Sequence, residues 1–209
     1  MRARTAKALA VALAASGTLA AATPADAQRI PLIRDSEIER LLADYAKPIF
    51  QAAGLGGGRV SIRIVRSNIF NAFVIDGRNV YIHTGAILQS QTPNQLIGVI
   101  AHEAGHIAGG HMAALRSRIQ RDQTRMLLMR ILGIGAAIAT GNAAAAVAGD
   151  QLVMRSLLAE RRSQEGAADQ AGLRYLNATR QSGRGMVQTF ERFAQQEFIS
   201  ASYQDPFVR

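Results

Sequence analysis

The chain contains no cysteine. That absence removes disulfides, thiolate metal sites and cysteine nucleophiles together, and it excludes a lipid-modified cysteine anchor; any metal has to be held by His, Glu or Asp. Aromatic residues make up only 5% of the sequence. The arginines are scattered rather than clustered among aromatics, which argues against a nucleic-acid surface. Acidic residues are outnumbered, 15 against 24 lysines and arginines, for a formal charge of +9. Histidine is scarce as well: there are four, and none follows His111.

With 209 residues and 48% apolar side chains, the chain is long enough for one domain with a real core and too short for two large ones. Its start reads as separate from that domain. Arg2, Arg4 and Lys7 precede a charge-free run from Ala8 to Ala25, and Ala25-Asp26-Ala27 ends it in an A-x-A cleavage pattern, the signature of a secretory signal. The expectation is a signal peptide over 1–27 and one domain over 28–209, C-terminally short and without repeats. Removing Arg2, Arg4, Lys7 and Asp26 leaves a mature charge of +7, which suits anionic envelope surfaces or acidic partners.

Along the domain, Ser36 reads as a helix N-cap with Glu39 closing a capping box, followed by Ile38, Leu41, Leu42, Tyr45 and Ile49 at helical spacing. Pro48 kinks that helix or marks its last turn, and "GLGGG" at 54–58 ends it. "RVSIRIVR" (59–66) alternates Val60, Ile62 and Ile64 with polar residues as a half-buried strand does. "NAFVIDGRNVYIHTG" reads as a hairpin turning at Asp76-Gly77, with His83 at its far end. His83 reads as a strand-end polar residue, because no second ligand lies at helical or strand spacing from it. Thr92 as cap, Pro93 at the first helical position and Gln95 three residues after Thr92 start the next helix near Pro93, and Leu96, Val99, Ile100 and Ile107 form its buried stripe.

The 19 residues from Ile131 to Gly149 carry no charge, which on length alone matches a membrane span. Gly133, Gly135, Gly141 and a run of alanines make the segment weakly apolar, and Gly141-Asn142 divides it into two short arms. It reads as a helical hairpin packed on the domain or on a partner, with peripheral membrane contact as the alternative. A long helix resumes from Asp150, and a last amphipathic helix covers about Gly185 to Ile199.

"AHEAGHIAGGHM" (101–112) carries the chemistry. On a helix, His102 and His106 project from one face on successive turns, so both imidazoles reach one ion. Glu103, one residue round, is placed to hold and deprotonate a water rather than to ligate, which is the H-E-x-x-H arrangement. A catalytic zinc takes three protein ligands and keeps one open position. His111 follows the pair by five residues, across Gly109 and Gly110, and is the weaker third candidate, favoured instead for a helix end or cleft rim. Glu165 is the stronger, because "EGAAD" places Asp169 one turn later on the same face, where it can accept the outer N–H of a ligating histidine. Arg162 can hold the Glu165 carboxylate or face the cleft. The expected metal is one zinc ion per chain.

These residues resemble the HtpX-like and CaaX-prenyl-protease-like zinc metallopeptidases, the gluzincin metallopeptidase family forty-eight, in its exported periplasmic branch. "RDSEIERLLADYAKPIFQAAGL", "NAFVIDGRNVYIHTGAIL", "TPNQLIGVIAHEAGHIAGGHMAAL" and "RRSQEGAADQAGLRYL" carry the likeness in order and spacing. The resemblance implies a zincin-type domain, mainly α with a small antiparallel sheet (α+β). It implies His102, His106 and Glu165 as zinc ligands, Glu103 as catalytic base and Asp169 as the carboxylate behind a ligating histidine. It further implies a periplasmic endopeptidase acting on misfolded or unassembled envelope proteins, which bind as an extra strand beside "NAFV", with envelope assembly partners and no nucleic acid. Relatives of this branch continue past "YQDPF" and carry a later histidine; here the oxyanion donor would be Arg162, Tyr203, Arg209 or His111, and the enzyme would be slow or completed by a partner. The alternative expectation is a zinc-binding but inactive chaperone-like or scaffold module.

Overall fold

In the computed structural model, which describes residues 30–141 and 145–193, Asp35 opens the first helix, α1 (Ser36–Ala52). Its carboxylate accepts from the backbone N–H groups of Glu37 and Ile38 at 3.1 and 3.0 Å, so the cap falls one residue before the expected Ser36. Glu39, expected to close a capping box, lies instead 3.4 Å from Arg34 Nε. Pro48 sits near the end of α1, whose final turn runs on to Ala52. Gly54, Gly57 and Gly58, all at positive φ, then turn the chain, a conformation that costs glycine little.

Four strands follow the order β1 (Leu32–Ile33), β2 (Ser61–Val65), β4 (Asn79–His83), β3 (Ala72–Val74) across one sheet. Both outer pairs are antiparallel, as expected, but the central β2 and β4 are parallel, making the sheet mixed. The cause is the connection over 66–71, which carries the chain past the neighbouring position to the outer edge before β4 returns beside β2. This register sets Ile62 against Val80 and Ile64 against Ile82, so the period-2 apolar residues of both strands fall on one buried face. The turn between β3 and β4 is broader than a two-residue one: it spans 75–78, with Gly77 at φ 71° and the Asp76 carboxylate accepting from the N–H groups of Arg78 and Asn79, each at 2.9 Å.

A short helix, α2 (Thr84–Gln89), leads to α3 (Pro93–Ala108). Pro93 holds the first helical position, but the Thr92 hydroxyl makes no cap bond; Gln95 Oε1 reaches further back and accepts from Gln91 N–H at 2.8 Å. α3 is the core helix. Ile100, Ala101 and Ala104 are fully buried, and Leu96, Val99 and Ile100 pack with the sheet and α1 in one cluster. Gly109 and Gly110 end it, Gly110 at φ 64°, and the chain turns into α4 (His111–Thr140). Gly141, at φ 68°, ends α4, and α5 (Ala145–Ala178) returns, starting five residues before the expected Asp150. A last helix, α6, covers residues 184–193. The expected leader, the end of the last helix, Tyr203 and Arg209 lie outside the described residues.

Small residues bring α3 and α5 together. A Cβ on Gly105 would sit 2.7 Å from the Ala168 carbonyl oxygen, and one on Gly172 would sit 3.1 Å from the His102 nitrogen. Glycine at both positions lets the backbones approach more closely than larger side chains permit. The outer part of α4 does not pack on the domain, the first of the two packings expected for it: Leu127, Leu132, Ile134 and Ile138 are 53–80% exposed. Among the described residues, no helix is long and apolar enough to cross a membrane.

Candidate active site

α3 presents His102 and His106 on successive turns, and α5 presents Glu165 and Asp169 on successive turns facing them. His102 Nε2 and His106 Nε2 lie 3.1 Å apart, and Glu165 Oε2 is 3.5 Å from each. A tetrahedral ion with bonds of 2.0–2.1 Å separates its ligand atoms by about 3.4 Å. The three donor atoms therefore stand at the spacing that one such ion requires, and they form the group among the described residues able to hold a metal.

The outer nitrogens explain which ring atoms face inward. Asp169 Oδ1 is 2.8 Å from His102 Nδ1; an ionised carboxylate only accepts, so the proton sits on Nδ1 and the Nε2 lone pair is free to point at the shared position. His106 Nδ1 faces His111 Nδ1 at 2.9 Å. His111 is 8% exposed and begins α4; its ring occupies the space where a Gly109 side chain would be. With His106 Nδ1 turned toward His111, two imidazole Nε2 atoms and a carboxylate oxygen converge on one position, a donor set that suits a divalent cation. Burial first, then neighbouring His102, holds His106 down to about 4, and burial lowers His111 in the same direction. Rings of low basicity stay neutral, the form that ligates.

Glu103, beside this group, is 7% exposed. Burial, reinforced by the Glu165 carboxylate, pushes its carboxyl up to about 8. It lines a cleft of about 610 Å³ together with His102, His106, Glu165 and Asp169. One wall is residues 70–74, leading into and including the edge strand β3; the other comes from the bases of α4 and α5 through Leu115, Leu157 and Arg161. Phe190 of α6 stands edge-on to His102, with ring centres 5.2 Å apart.

The structure brings together all five residues expected at the site: His102, Glu103, His106, Glu165 and Asp169. Arg162 is not with them. Its Nε bonds the Leu158 carbonyl at 3.4 Å, whereas Arg161, four residues from Glu165, lies 3.9 Å from the Glu165 carboxylate and lines the cleft. The expectation was one residue out, and one residue is 100° on a helix. His111 backs His106 rather than joining Glu165. His83 stands apart from the cluster, edge-on to Phe73, with Nδ1 buried and without a hydrogen-bond partner among the described residues. Phe190 and Phe193 were not anticipated; the helical spacing of their segment reads as core packing.

An H-E-x-x-H helix, a carboxylate from a second helix and an edge strand along the cleft define a metallopeptidase. Residues 33–203 match peptidase family M48, and the chain belongs to that family. It is similar to a Vibrio cholerae protein named "Putative beta-barrel assembly-enhancing protease", 26% identical over 185 residues, which cover 85% of this chain and 37% of that protein. The chain therefore spans little more than a third of that relative's length.

Proposed function

We propose that the chain is an exported zinc metalloendopeptidase that hydrolyses peptide bonds of misfolded or unassembled envelope proteins. The observation that carries this reading is the convergence of His102 Nε2, His106 Nε2 and Glu165 Oε2 at 3.1–3.5 Å next to the buried carboxyl of Glu103. These three side chains would hold one zinc ion, with Asp169 and His111 fixing the two imidazoles from behind. Zinc bound there supplies Lewis acidity, acidifying water toward a pKa of about 7 and polarising the scissile carbonyl.

Glu103 takes a proton from the attacking water at its carboxylate and passes it to the leaving amine nitrogen. Its burial strengthens it as a proton acceptor. β3 orients the substrate: as the outer strand of the sheet beside the cleft, it can pair with an extended chain through main-chain hydrogen bonds, which tolerate many sequences. Arg161, on the opposite wall, is the one arginine or lysine among the described residues that line the cleft. Export rests on the charged, alanine-rich leader ending at Ala27, and an envelope substrate rests on the likeness to a protein named for beta-barrel assembly.

The test is cleavage of casein by the mature chain, with and without a chelator, beside Glu103→Gln. Chelation and Glu103→Gln are each expected to reduce cleavage by about 100-fold or more, while Glu103→Gln keeps its zinc. A wild-type chain that holds zinc yet cuts nothing would support a zinc-binding scaffold instead.

A further inference from the structure

The outer end of α4 presents an apolar surface that the peptidase site does not use. Leu127, Leu128, Met129, Ile131, Leu132, Ile134 and Ile138 are all 46–80% exposed. At 100° per residue these positions cover roughly 220° of the helix circumference. A partner helix or groove buries a stripe of about 100°; a fluid apolar phase can cover the wider surface.

Length and charge point the same way. Arg118 of α4 meets Ser156 at 2.6 Å and pairs with Glu160, so α5 lies along α4 near the cleft, and Thr140 is more than twenty residues further along α4 from this contact. The charge-free arm from Ile131 to Thr140 is ten residues long, roughly 15 Å, about half of a hydrocarbon core of ~30 Å. That depth enters one leaflet and does not cross two. Below the tip stand Arg121, Arg125 and Arg130 on α4 and Arg155 on α5, all exposed. Over residues 111–162 there are eight arginines and no lysine against Asp122, Asp150 and Glu160, a surplus of five positive charges.

We infer that the α4/α5 hairpin is a one-leaflet membrane anchor, inserting the outer end of α4 around Leu132, Ile134 and Ile138 into anionic phospholipid with the arginine collar at the headgroups. Long arginine side chains reach headgroup phosphates while their stems lie along apolar surface. Because the bases of the same helices form one cleft wall, insertion would hold the cleft close to the membrane surface.

The chain has no tryptophan, so Leu132→Trp is a clean reporter. The mature protein is floated with vesicles of phosphatidylethanolamine and phosphatidylglycerol, and with phosphatidylcholine alone. Binding to the anionic vesicles is expected to be at least 10-fold tighter and to weaken with salt. Leu132→Trp emission should shift to the blue and be quenched by brominated acyl chains. The double variant Leu132→Asp, Ile138→Asp should lose at least 10-fold in binding while keeping its metal affinity and melting temperature. Three results would overturn the inference: binding unaffected by the aspartates, Leu132→Trp emission that stays water-like on vesicles, or self-association through the hairpin without vesicle retention.

Discussion

Two imidazoles four residues apart can share an ion on any helix; what distinguishes His102 and His106 is the group behind each ring. Asp169 holds the outer nitrogen of His102 and His111 that of His106. Asp169→Ala should therefore lower zinc affinity 10- to 100-fold, measured by competition with a chromophoric chelator. His111→Leu should cost a similar factor, and His111→Gln should recover part of it, because an amide oxygen can still accept from His106 Nδ1–H. Equal affinity in His111→Leu and wild type would reduce His111 to packing. The pairing of H-E-x-x-H with E-x-x-x-D was readable from spacing, since i and i+4 share a helix face. The place of His111 was not, because it depends on the sharp turn at Gly110 and on the space that Gly109 leaves for the ring. The exchange of Arg162 for Arg161 has the same origin: identifying the cleft-facing residue needs the helix rotation, which the neighbouring charges do not reveal.

Helix-scale geometry decides whether the carboxylate reaches the rings at all. Gly105 meets the backbone of Ala168 and Gly172 meets the backbone at Ala101 and His102, so α3 and α5 lie against each other where the ligands emerge. Gly105→Ala places a methyl group 2.7 Å from a carbonyl oxygen that cannot rotate away. The expected cost is about 1–3 kcal/mol of stability, read by denaturant unfolding, with at least 10-fold weaker zinc binding. Gly172→Ala, with its nearest contact at 3.1 Å, should be milder in both. A Gly105→Ala protein with wild-type stability and affinity would show that the helices do not need this approach. Period-2 and helical patterns located β2, the β3/β4 hairpin, α1 and α3. Strand order and capping were less accessible: β1 has only two residues, the parallel β2/β4 pairing follows from the path of 66–71, and Asp35, directly before Ser36, is an equally good cap by residue type.

Across the molecule, the proposed ligands come from helices remote in sequence, so metal binding there would be coupled to folding. An ion that binds only the folded chain stabilises it by about 2.7 kcal/mol at a hundredfold excess over its dissociation constant, which for a chain of this size is roughly 5 to 10 °C in melting temperature. Chelation should remove that increment from the wild type, and Glu165→Ala should melt at one temperature with or without chelator. The projecting hairpin was the element least readable in advance. A charge-free stretch looks the same whether it packs on its own domain or faces outward, and only the exposure of Leu132 and Ile138 separates the two. The most direct test of the account is the zinc content of the purified mature chain, its Glu103→Gln variant and its Glu165→Ala variant after identical dialysis. Wild type and Glu103→Gln should each retain one zinc per chain and Glu165→Ala almost none; a full equivalent retained by Glu165→Ala at wild-type affinity would contradict it.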